Sequence, residues 1–334
     1  MRTIVIGCLG SMGRRRIRNL KALGYTDIIG YDLVDYKKAK PDCWYTDMLD
    51  EVENFLENPT GLYKKVDCII VSVPPLQKQK YIDLGNKYNV TVFCEADVTE
   101  YSGSYAASAT MRFHPAIQKI KELLDSGTLG KVYTFMHHCG NHIEDWHPGC
   151  DKKTYYAMAK EAGGCKEIFP FELSWLSYLF GTPVYASGVI DKKLNDPDIS
   201  ADDIYSTVVM FQNEKMQDYG FRCWPQLSHI TGTVLIDIVS RPAIRELRIV
   251  CERGFIEWNW NDDHISIRGA EEQDGMLFFD KGKAAGGYHS SICEEMYISE
   301  IANFINAIQG KEQYLYSRED EKVCIEMLRK VEGK

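Results

Sequence analysis

The sequence predicts an α/β protein of two domains, the first built on a parallel sheet and the second on a mainly antiparallel one. The chain has 334 residues, 45% of them apolar and 26% charged, which is ordinary for a soluble globular protein. Single hydrophobic cores stop growing near about 250 to 300 residues, so this length favours two domains. The other two indications are alternating strand and helix patterns in the first hundred residues and period-two patterns further on.

The first domain is predicted from short β-branched runs that alternate with helical stretches. These runs are residues 3–6, 28–31, 68–73 and 90–93. Strand followed by helix, repeated, predicts a parallel sheet with right-handed crossovers. Between the first two strands, apolar residues recur at helical spacing, and we interpret the adjoining Arg14, Arg15 and Arg18 as a solvated helix face. We place the domain boundary at the end of a later helix, which gives domains of residues 1–124 and 125–334.

The second domain is predicted from strands in which apolar and polar residues alternate, especially between residues 205 and 260. Pairs such as Val208 and Met210, or Leu247 and Ile249, show this period, which is typical of an antiparallel sheet with one buried face. Two helices close the chain, the second starting at a capping box of Ser317 with Asp320. One arrangement open to this final helix is packing against the first domain.

Charge and cysteine usage exclude several classes of protein. A net charge of −9 argues against a nucleic-acid binder or a protein of anionic membrane surfaces, since both need cations. The eleven cysteines are odd in number and form no C-x-x-C pair, which predicts reduced thiols in a cytoplasm. No run approaches the roughly 18 apolar residues of a membrane span. The apolar start is too short for a signal peptide and predicts a buried strand.

A glycine-rich turn follows the first predicted strand and precedes a helix. It reads Gly7-Cys8-Leu9-Gly10-Ser11-Met12-Gly13, and Asp32 stands at the end of the second strand. Glycines let the backbone approach a pyrophosphate, helix amides hold its charge, and the acidic residue accepts hydrogen bonds from ribose hydroxyls. Asp32 favours NAD over NADP because it repels a 2′-phosphate, although Lys37 and Lys38 keep NADP as the less favoured alternative.

The spacing departs by one residue from the usual G-x-G-x-x-G pattern. Two explanations stay open: Cys8 replaces the first glycine, or the turn is one residue longer. A purely structural alternative is a doubly wound domain whose glycines only close a turn. The strand, helix and acidic residue around the motif favour dinucleotide binding.

With these residues placed, the chain resembles the glucose-fructose oxidoreductase, inositol dehydrogenase and rhizopine-catabolism family (Gfo/Idh/MocA) over nearly its whole length. The motifs that carry the resemblance are Ser11-Met12-Gly13-Arg14-Arg15, Val71-Ser72-Val73-Pro74-Pro75, Arg112-Phe113-His114-Pro115, Asp145-Trp146-His147-Pro148, Gly163-Gly164, Ser240-Arg241-Pro242 and Gly254-Phe255-Ile256-Glu257-Trp258. It implies an N-terminal Rossmann domain and a C-terminal α+β domain with an open, mainly antiparallel sheet. It also implies cofactor contacts by Val73, Pro74 and Glu95, redox chemistry on a sugar, polyol or related carbon, and a homodimer or homotetramer formed through that sheet.

The chain departs from the family pattern at both usual catalytic positions. The family carries Glu-Lys-Pro where this sequence has Glu95-Ala96-Asp97. The aspartate and the proton-carrying histidine that follow the family's double glycine fall, by spacing, on Ile168 and Phe171. A different side chain must therefore act as the base.

A base that takes the hydroxyl proton is worth roughly 10² to 10⁴ in rate. The candidates are His147, His142, Glu167 and Glu172. On a continuous helix, two glutamates five residues apart would point to different faces. We expect Pro170 to interrupt the helix, so that both side chains reach the substrate. The candidates for substrate contact are Trp146, Lys153, Tyr156 and Lys166. Of these, Lys153 and Tyr156 suit substrate oxygens or an anionic group.

A second cluster deserves a metal hypothesis, because His, Cys and Asp are residues that zinc selects. Its members are His137, His138, Cys139, His142, Glu144, Asp145, His147 and Cys150. No ligand spacing repeats, and strand geometry puts the first two histidines on opposite faces. We therefore predict no metal.

Three functional hypotheses follow. The leading one is an NAD-dependent oxidoreductase acting on a sugar, polyol or sugar-acid derivative. The second keeps NAD bound and oxidises its substrate only transiently, to drive elimination, epimerisation or glycosidic cleavage. The third is a dinucleotide-binding sensor or scaffold without turnover.

Overall fold

The computed structural model describes residues 1–35, 38, 41–57, 64–146, 151–213, 229–269, 274–282, 284 and 292–334. The chain divides into two compact units. Unit 1 comprises Met1–Thr110 and Glu295–Arg318, and unit 2 comprises Met111–Glu294 and Glu319–Lys334. Within the described ranges, no helix combines the length and the hydropathy that a membrane span requires.

The described residues form fourteen strands and eight helices. The strands are β1 (Arg2–Ile6), β2 (Asp27–Tyr31), β3 (Trp44–Thr46), β4 (Cys68–Val71), β5 (Thr91–Cys94), β6 (Ala106–Ala107), β7 (Val132–Gly140), β8 (Thr182–Asp191), β9 (Ile204–Gln212), β10 (His229–Asp237), β11 (Ile244–Cys251), β12 (Gly254–Asn259), β13 (His264–Gly269) and β14 (Gly275–Phe278). The helices are α1 (Ser11–Ala22), α2 (Leu49–Glu57), α3 (Gln79–Lys87), α4 (Pro115–Asp125), α5 (Ile143–Trp146), α6 (Cys165–Phe180), α7 (Glu294–Ile308) and α8 (Arg318–Val331). Single 3-10 turns occupy Thr110–Phe113 and Tyr156–Met158.

Unit 1 is built on a six-stranded parallel sheet in the order β3-β2-β1-β4-β5-β6. Its central strands are continuous apolar runs because helices cover both faces. On one face α1 and most of α7 pack against Val5 and Phe93, whose ring meets that of Phe304 edge-on at 5.1 Å between centroids. On the other face α2 and α3 pack against Ile4 and Ile69.

The arginines of α1 differ from the predicted solvated face. The side chain of Arg15 is buried against the ring of Tyr297, with its guanidinium carbon 4.1 Å from the ring centroid, and Arg16 is fully buried. Of the three consecutive arginines at positions 14 to 16, only Arg14 is exposed. The prediction was wrong for Arg15 because α7, which comes from the far end of the chain, covers that face of α1.

Unit 2 is built on an eight-stranded sheet in the order β14-β13-β12-β11-β7-β10-β9-β8. All its pairs are antiparallel except that of β7 with β10. Helix α6 packs against one face, and the other face exposes apolar side chains such as Met136, Val189 and Val208. The predicted fold class, a parallel α/β unit plus an α+β unit with an open, mainly antiparallel sheet, is confirmed.

Candidate functional site

The glycine-rich turn of unit 1 begins at Gly7, which has a φ of +75°. The N–H of Gly10 donates to the carbonyl of Gly7 at 3.1 Å and closes the turn, while the side chain of Cys8 is buried. A Cβ on Gly13 would lie 2.1 Å from the Gly7 oxygen, so α1 can pack this closely on the turn only with glycine there. Of the two explanations for the spacing, this geometry favours the longer turn.

Asp32 is fixed at the same turn. The N–H of Leu9 donates to its Oδ2 at 3.0 Å, and the N–H of Leu33 donates to its Oδ1 at 2.8 Å. A carboxylate oxygen can accept two hydrogen bonds, so each oxygen keeps capacity for one more donor. Two adjacent ribose hydroxyls match that capacity.

The other residues predicted to contact the cofactor lie at the same edge of the sheet. Gly7 follows β1, Asp32 follows β2, Val73 and Pro74 follow β4, and Glu95 follows β5. A Cβ on Gly7 would lie 3.0 Å from Val73 Cγ1, which shows how closely the loop after β1 approaches the loop after β4. Carboxyl ends of parallel strands are where open α/β sheets bind ligands.

Glu95 is held by a buried ionic network. Arg16 donates to both of its carboxylate oxygens, at 2.7 and 2.8 Å, and Ser72 Oγ donates at 3.1 Å. Arg16 Nη2 also lies 2.8 Å from Glu300, a fully buried carboxylate on α7 that accepts the N–H of Ala109. The network orients Glu95 and ties α1 to α7.

Lys78 and Asp97 form a second buried ion pair that the sequence patterns did not reveal. The two side chains are 2% and 1% exposed, and Lys78 Nζ lies 2.7 Å from Asp97 Oδ2. The ammonium group also donates to the carbonyls of Glu95 and Ala96, at 3.0 and 2.8 Å. All three protons of Lys78 are therefore used, so it stabilises the turn where the family lysine is missing and does not replace that lysine chemically.

The unit 1 site fits a dinucleotide. Gly10, at the N-terminus of α1, supplies no side-chain cap, and the first turn of the helix carries no acidic residue that would oppose a phosphate. Met12 and Gly13 lie in the first turn of α1, where backbone amides have no acceptor within the helix. These amides and the positive end of the helix dipole suit a pyrophosphate.

In unit 2 the structure brings together two residues that the sequence nominated separately. The hydroxyl of Tyr156 donates to Oε1 of Glu167 at 2.8 Å, and both side chains are half-buried. The double glycine makes this possible: a Cβ on Gly163 would lie 2.1 Å from the Ala157 oxygen, and Gly164 has a φ of +62°. The turn that carries Tyr156 is thereby held against the start of α6.

Glu172 does not fit its predicted role as a proton carrier. Helix α6 continues through Pro170, so Glu172 points into the sheet and is fully buried. It accepts hydrogen bonds from Trp175 at 2.9 Å and from Arg245 at 2.7 Å, and its other close contact is His137 at 2.9 Å. Burial alone would raise the pKa of Glu172, but the charge of Arg245 and the contact with His137 outweigh it and lower the pKa to about 2.

The expected break at Pro170 does not occur, since α6 runs from Cys165 to Phe180 with this proline inside it. Proline has no N–H, so the helix gives up the hydrogen bond to the Lys166 carbonyl there. Lys166 itself lies 3.0 Å from Glu332, with both side chains mostly buried, so its contact is a structural ion pair and not the predicted substrate contact. Lys153 is exposed.

The segment that carries the candidate bases His142 and His147 and the candidate substrate contact Trp146 is described only in part. His147 and Cys150 lie outside the described residues. His142 is mostly buried with Nδ1 3.6 Å from Glu144, and Trp146 ends α5 half-buried. Glu144 is also held by Lys152 and by Arg241, whose Nη2 donates at 3.1 Å. Lys152 and Arg241, which the sequence analysis did not nominate, thus anchor this segment.

The histidines of β7 face opposite sides of the sheet, as predicted from strand geometry. His138 Nε2 lies 2.7 Å from Asp237 on the open face, while His137 is buried beneath α6. The hydrogen bond from His138, together with those from the Val239 and Ser240 amides, overcomes the effect of burial and lowers the pKa of Asp237 to about 2. In the part of the chain that the structure describes, no group of three or more His, Cys, Asp or Glu could hold a metal ion.

Comparison with known structures shows the same fold over nearly the whole chain. Levoglucosan dehydrogenase in complex with NADH is 13% identical, covers 99% of this chain and 96% of its own, and has a TM-score of 0.75. An oxidoreductase from Agrobacterium radiobacter in complex with NAD+, L-tartaric acid and magnesium is 14% identical, covers 100% and 95%, and has a TM-score of 0.74. One from Desulfitobacterium hafniense, provisionally named as NADPH-dependent, is 12% identical, covers 98% and 93%, and has a TM-score of 0.75.

At these identities the likeness shows the fold. A comparison with curated proteins finds no match. A family profile described as the GFO/IDH/MocA C-terminal domain matches residues 117–257, which lie in unit 2. The resemblance to the Gfo/Idh/MocA family is therefore confirmed, and residues 117–257 match the model of its C-terminal domain.

Proposed function

We propose that this protein is an NAD-dependent oxidoreductase that acts on a hydroxyl or carbonyl group of a sugar, polyol or sugar-acid derivative. The observation that carries the proposal is Asp32, whose two oxygens are each fixed by one backbone amide and each keep room for a ribose hydroxyl. Structural neighbours include levoglucosan dehydrogenase in complex with NADH, which supports both the cofactor and the substrate class. NADP is the less favoured alternative, since Asp32 repels a 2′-phosphate.

The residues of unit 1 would hold the cofactor. Backbone amides after Gly10 would bind the pyrophosphate, and Asp32 would bind the adenosine ribose. Val73 and Pro74 would line the site, and the Arg16 network would orient Glu95 toward it. Bound NAD supplies a hydride acceptor or donor at its nicotinamide ring.

Tyr156 and Glu167 are our proposed proton carriers. The Tyr156 hydroxyl would accept the proton of the substrate hydroxyl while it passes its own proton to Glu167 Oε1, 2.8 Å away. Charge is conserved in this relay, and in the reverse direction Tyr156 returns a proton to the carbonyl oxygen. A tyrosine is a weak base alone, so the adjacent carboxylate is needed. His142 and His147 remain alternative carriers.

The test is turnover in a panel of sugars, polyols and sugar acids, followed by NADH absorbance. Tyr156→Phe and Glu167→Gln should each lower kcat about 10²-fold or more while the Kd for NAD stays unchanged. The matched control is Glu161→Gln, an exposed carboxylate that precedes the double glycine. No absorbance change across the panel, with NAD demonstrably bound, would contradict the oxidoreductase assignment.

A second candidate is an NAD-binding sensor without turnover. It is favoured by one observation, the apolar residues Ile168 and Phe171 at the family's catalytic positions on α6. This candidate predicts NAD affinity with no product from any substrate. A third reading, transient oxidation without net redox change, predicts NAD that survives purification and solvent deuterium in the product.

We also propose that the protein is a cytoplasmic homodimer or homotetramer assembled through the open face of its unit 2 sheet. Apolar side chains exposed there, including Met136, Val189 and Val208, support this. Sedimentation of the wild-type chain and of Val208→Lys would test it, since a charge in that face should shift the protein toward monomer.

A further inference from the structure

We propose that unit 2 contains a binding site for a small carboxylate at Arg245, bordered by His114 and Trp258. No residue of this cluster was nominated by the glycine motif or by the family's catalytic positions. The proposal goes beyond the oxidoreductase function and does not depend on it. If the carboxylate belongs to the substrate, the substrate is a sugar acid and not a neutral sugar.

The first argument is that donors in this cluster lack acceptors. His114 Nε2, Trp258 Nε1 and Arg245 Nε are buried atoms that find no hydrogen-bond partner among the described residues. His114 Nδ1 accepts the N–H of Ala116 at 3.1 Å as the cap of α4, so in the neutral ring the proton sits on Nε2. Burial, followed by the charges of Arg245 and Lys281, lowers the pKa of His114 to about 3, which keeps the ring neutral.

The three donors belong to one aromatic cluster. The His114 ring centroid lies 5.3 Å from that of Trp258 and 5.1 Å from that of Trp260. The guanidinium carbon of Arg245 lies 5.0 Å from the Trp260 ring centroid. Buried donors of native proteins normally find an acceptor, and three donors unmatched by the described residues in one cluster suit an acceptor that a bound ligand supplies.

The second argument is charge. Glu172 is the carboxylate that contacts Arg245, at 2.7 Å, and among the described residues no second carboxylate does so. Glu172 also contacts His137 Nε2 at 2.9 Å, while His137 Nδ1 lies 2.8 Å from the Glu246 carbonyl. Glu172 therefore divides its acceptor capacity among Arg245, His137 and Trp175.

The guanidinium has room for a second anion. Its Nη2 is bound to Glu172, its Nη1 lies 3.8 Å from the sulfur of Met111, and the Cys139 side chain is a further hydrogen-bond partner of the guanidinium. The Arg245 side chain is 20% exposed, so a ligand can reach it. Because the unmatched atoms of this cluster are donors and one of them belongs to a guanidinium, a ligand that is both an acceptor and an anion fits, and carboxylate geometry matches the guanidinium fork.

The experiment is a titration of ¹⁵N-Trp-labelled protein, without NAD, with acetate and glycolate against their neutral isosteres acetamide and glycolamide. The indole N–H resonance of Trp258 is identified by its loss in Trp258→Phe. We expect acetate or glycolate to shift it saturably, and the amides at equal concentration to leave it in place. Sodium chloride at matched ionic strength controls for salt.

Variants separate a site from a packing defect. His114→Asn keeps an N-cap for α4 but removes the Nε2 donor, and we expect it to weaken acetate binding about threefold to tenfold when it is titrated well below its own Tm. Arg245→Lys should weaken binding more, since it loses the fork. Equal shifts with acetamide, no saturation, or unchanged affinity in both variants would overturn the proposal and leave buried water as the acceptor. Absence of redox turnover would contradict only the proposed function.

Discussion

Arg245 on β11 and Glu172 on α6 form a buried ion pair, with 2.7 Å between Nη2 and Oε1. The pair fastens the helix that follows the double glycine to the middle of the unit 2 sheet. It also explains why α6 presents Glu167 and Glu172 so differently: Glu167 meets Tyr156 at the start of the helix, while Glu172 is taken up by the sheet. One is available for chemistry and the other maintains the architecture.

The first prediction concerns the pH dependence of this ion pair. The pKa of Glu172 is about 2 in the folded protein against 4.5 for an ordinary glutamate. A lowered folded pKa contributes stability that is fully present above pH 4.5 and is lost as the pH falls toward 2. The shift corresponds to about 3 kcal/mol.

Glu172→Gln should therefore cost about 3 to 5 kcal/mol at pH 7, because it leaves the Arg245 guanidinium without its carboxylate. The cost should shrink as the pH falls from 4.5 to 3. Urea unfolding of both proteins across this range measures it. The pKa of Asp237 is also about 2, but Asp237 is present in both the wild type and Glu172→Gln and so cancels in their difference. A difference in unfolding free energy that does not change with pH would contradict a lowered pKa for Glu172.

The second prediction concerns the buried pair of Lys78 and Asp97. Lys78→Met leaves Asp97 buried without its cation, and we expect a loss of about 3 to 5 kcal/mol in unfolding free energy. Adding Asp97→Asn should recover part of the loss, because Asn still accepts the N–H of Val98. A double-mutant cycle by urea unfolding measures the coupling.

The matched control is the exposed i,i+4 pair of Lys121 and Asp125. Lys121→Met should cost only about 0.3 to 0.5 kcal/mol, as is usual for surface pairs. Equal losses for the buried and the exposed lysine would show that Lys78 is not the buried anchor we describe.

Local patterns predicted the elements well, and long-range contacts account for what they missed. The β-branched runs at residues 3–6 and 28–31 fall inside β1 and β2 because a buried parallel strand is a continuous apolar run. The glycine turn and Asp32 were also readable, since their spacing follows from one strand, one turn and one helix.

The burial of Arg15 and Arg16 was not predictable in this way. Their partners Tyr297, Glu95 and Glu300 lie far along the chain, and the spacing of apolar residues in α1 does not predict these contacts. The same holds for Tyr156 and Glu167: each was a candidate by residue type, but their pairing depends on the close approach at Gly163. Side-chain roles were thus less predictable than elements because they depend on tertiary neighbours.

The third prediction separates two glycines of the dinucleotide turn. A Cβ on Gly13 would lie 2.1 Å from the Gly7 oxygen, a backbone atom that cannot yield locally, whereas a Cβ on Gly10 would lie 3.3 Å from the same atom. Gly13→Ala should lower the unfolding free energy by about 1 to 3 kcal/mol and weaken NAD binding at least tenfold. Gly10→Ala should have a clearly smaller effect on both quantities.

Thermal unfolding and calorimetric titration with NAD measure the two effects. Gly275→Ala, where the added methyl group meets no atom within 4 Å, is the control and should leave both unchanged. Equal tolerance of alanine at positions 10 and 13 would mean that α1 does not pack on the turn as described.

The last prediction addresses cofactor choice through Asp32. Asp32→Ala removes a charged acceptor that would bind two ribose hydroxyls, and hydrogen bonds to a charged group contribute about 1.5 to 3 kcal/mol each. Loss of both bonds amounts to about 3 kcal/mol or more, so we expect the Kd for NAD to rise about 100-fold or more. The same change removes the repulsion of a 2′-phosphate, so the Kd for NADP should fall or stay constant, and the preference between the two coenzymes should narrow or invert.

Calorimetry with both coenzymes measures the change, and Asp50→Ala, at an exposed position on α2, serves as the charge-matched control. Because Asp32 also accepts the N–H of Leu9, a collapsed turn would weaken both coenzymes together. Asp32→Asn distinguishes the cases: it can keep the Leu9 hydrogen bond through its amide oxygen, so it should still lose NAD affinity while the turn and the Tm are preserved. If Asp32→Asn binds NAD as tightly as the wild type, Asp32 does not hold the ribose.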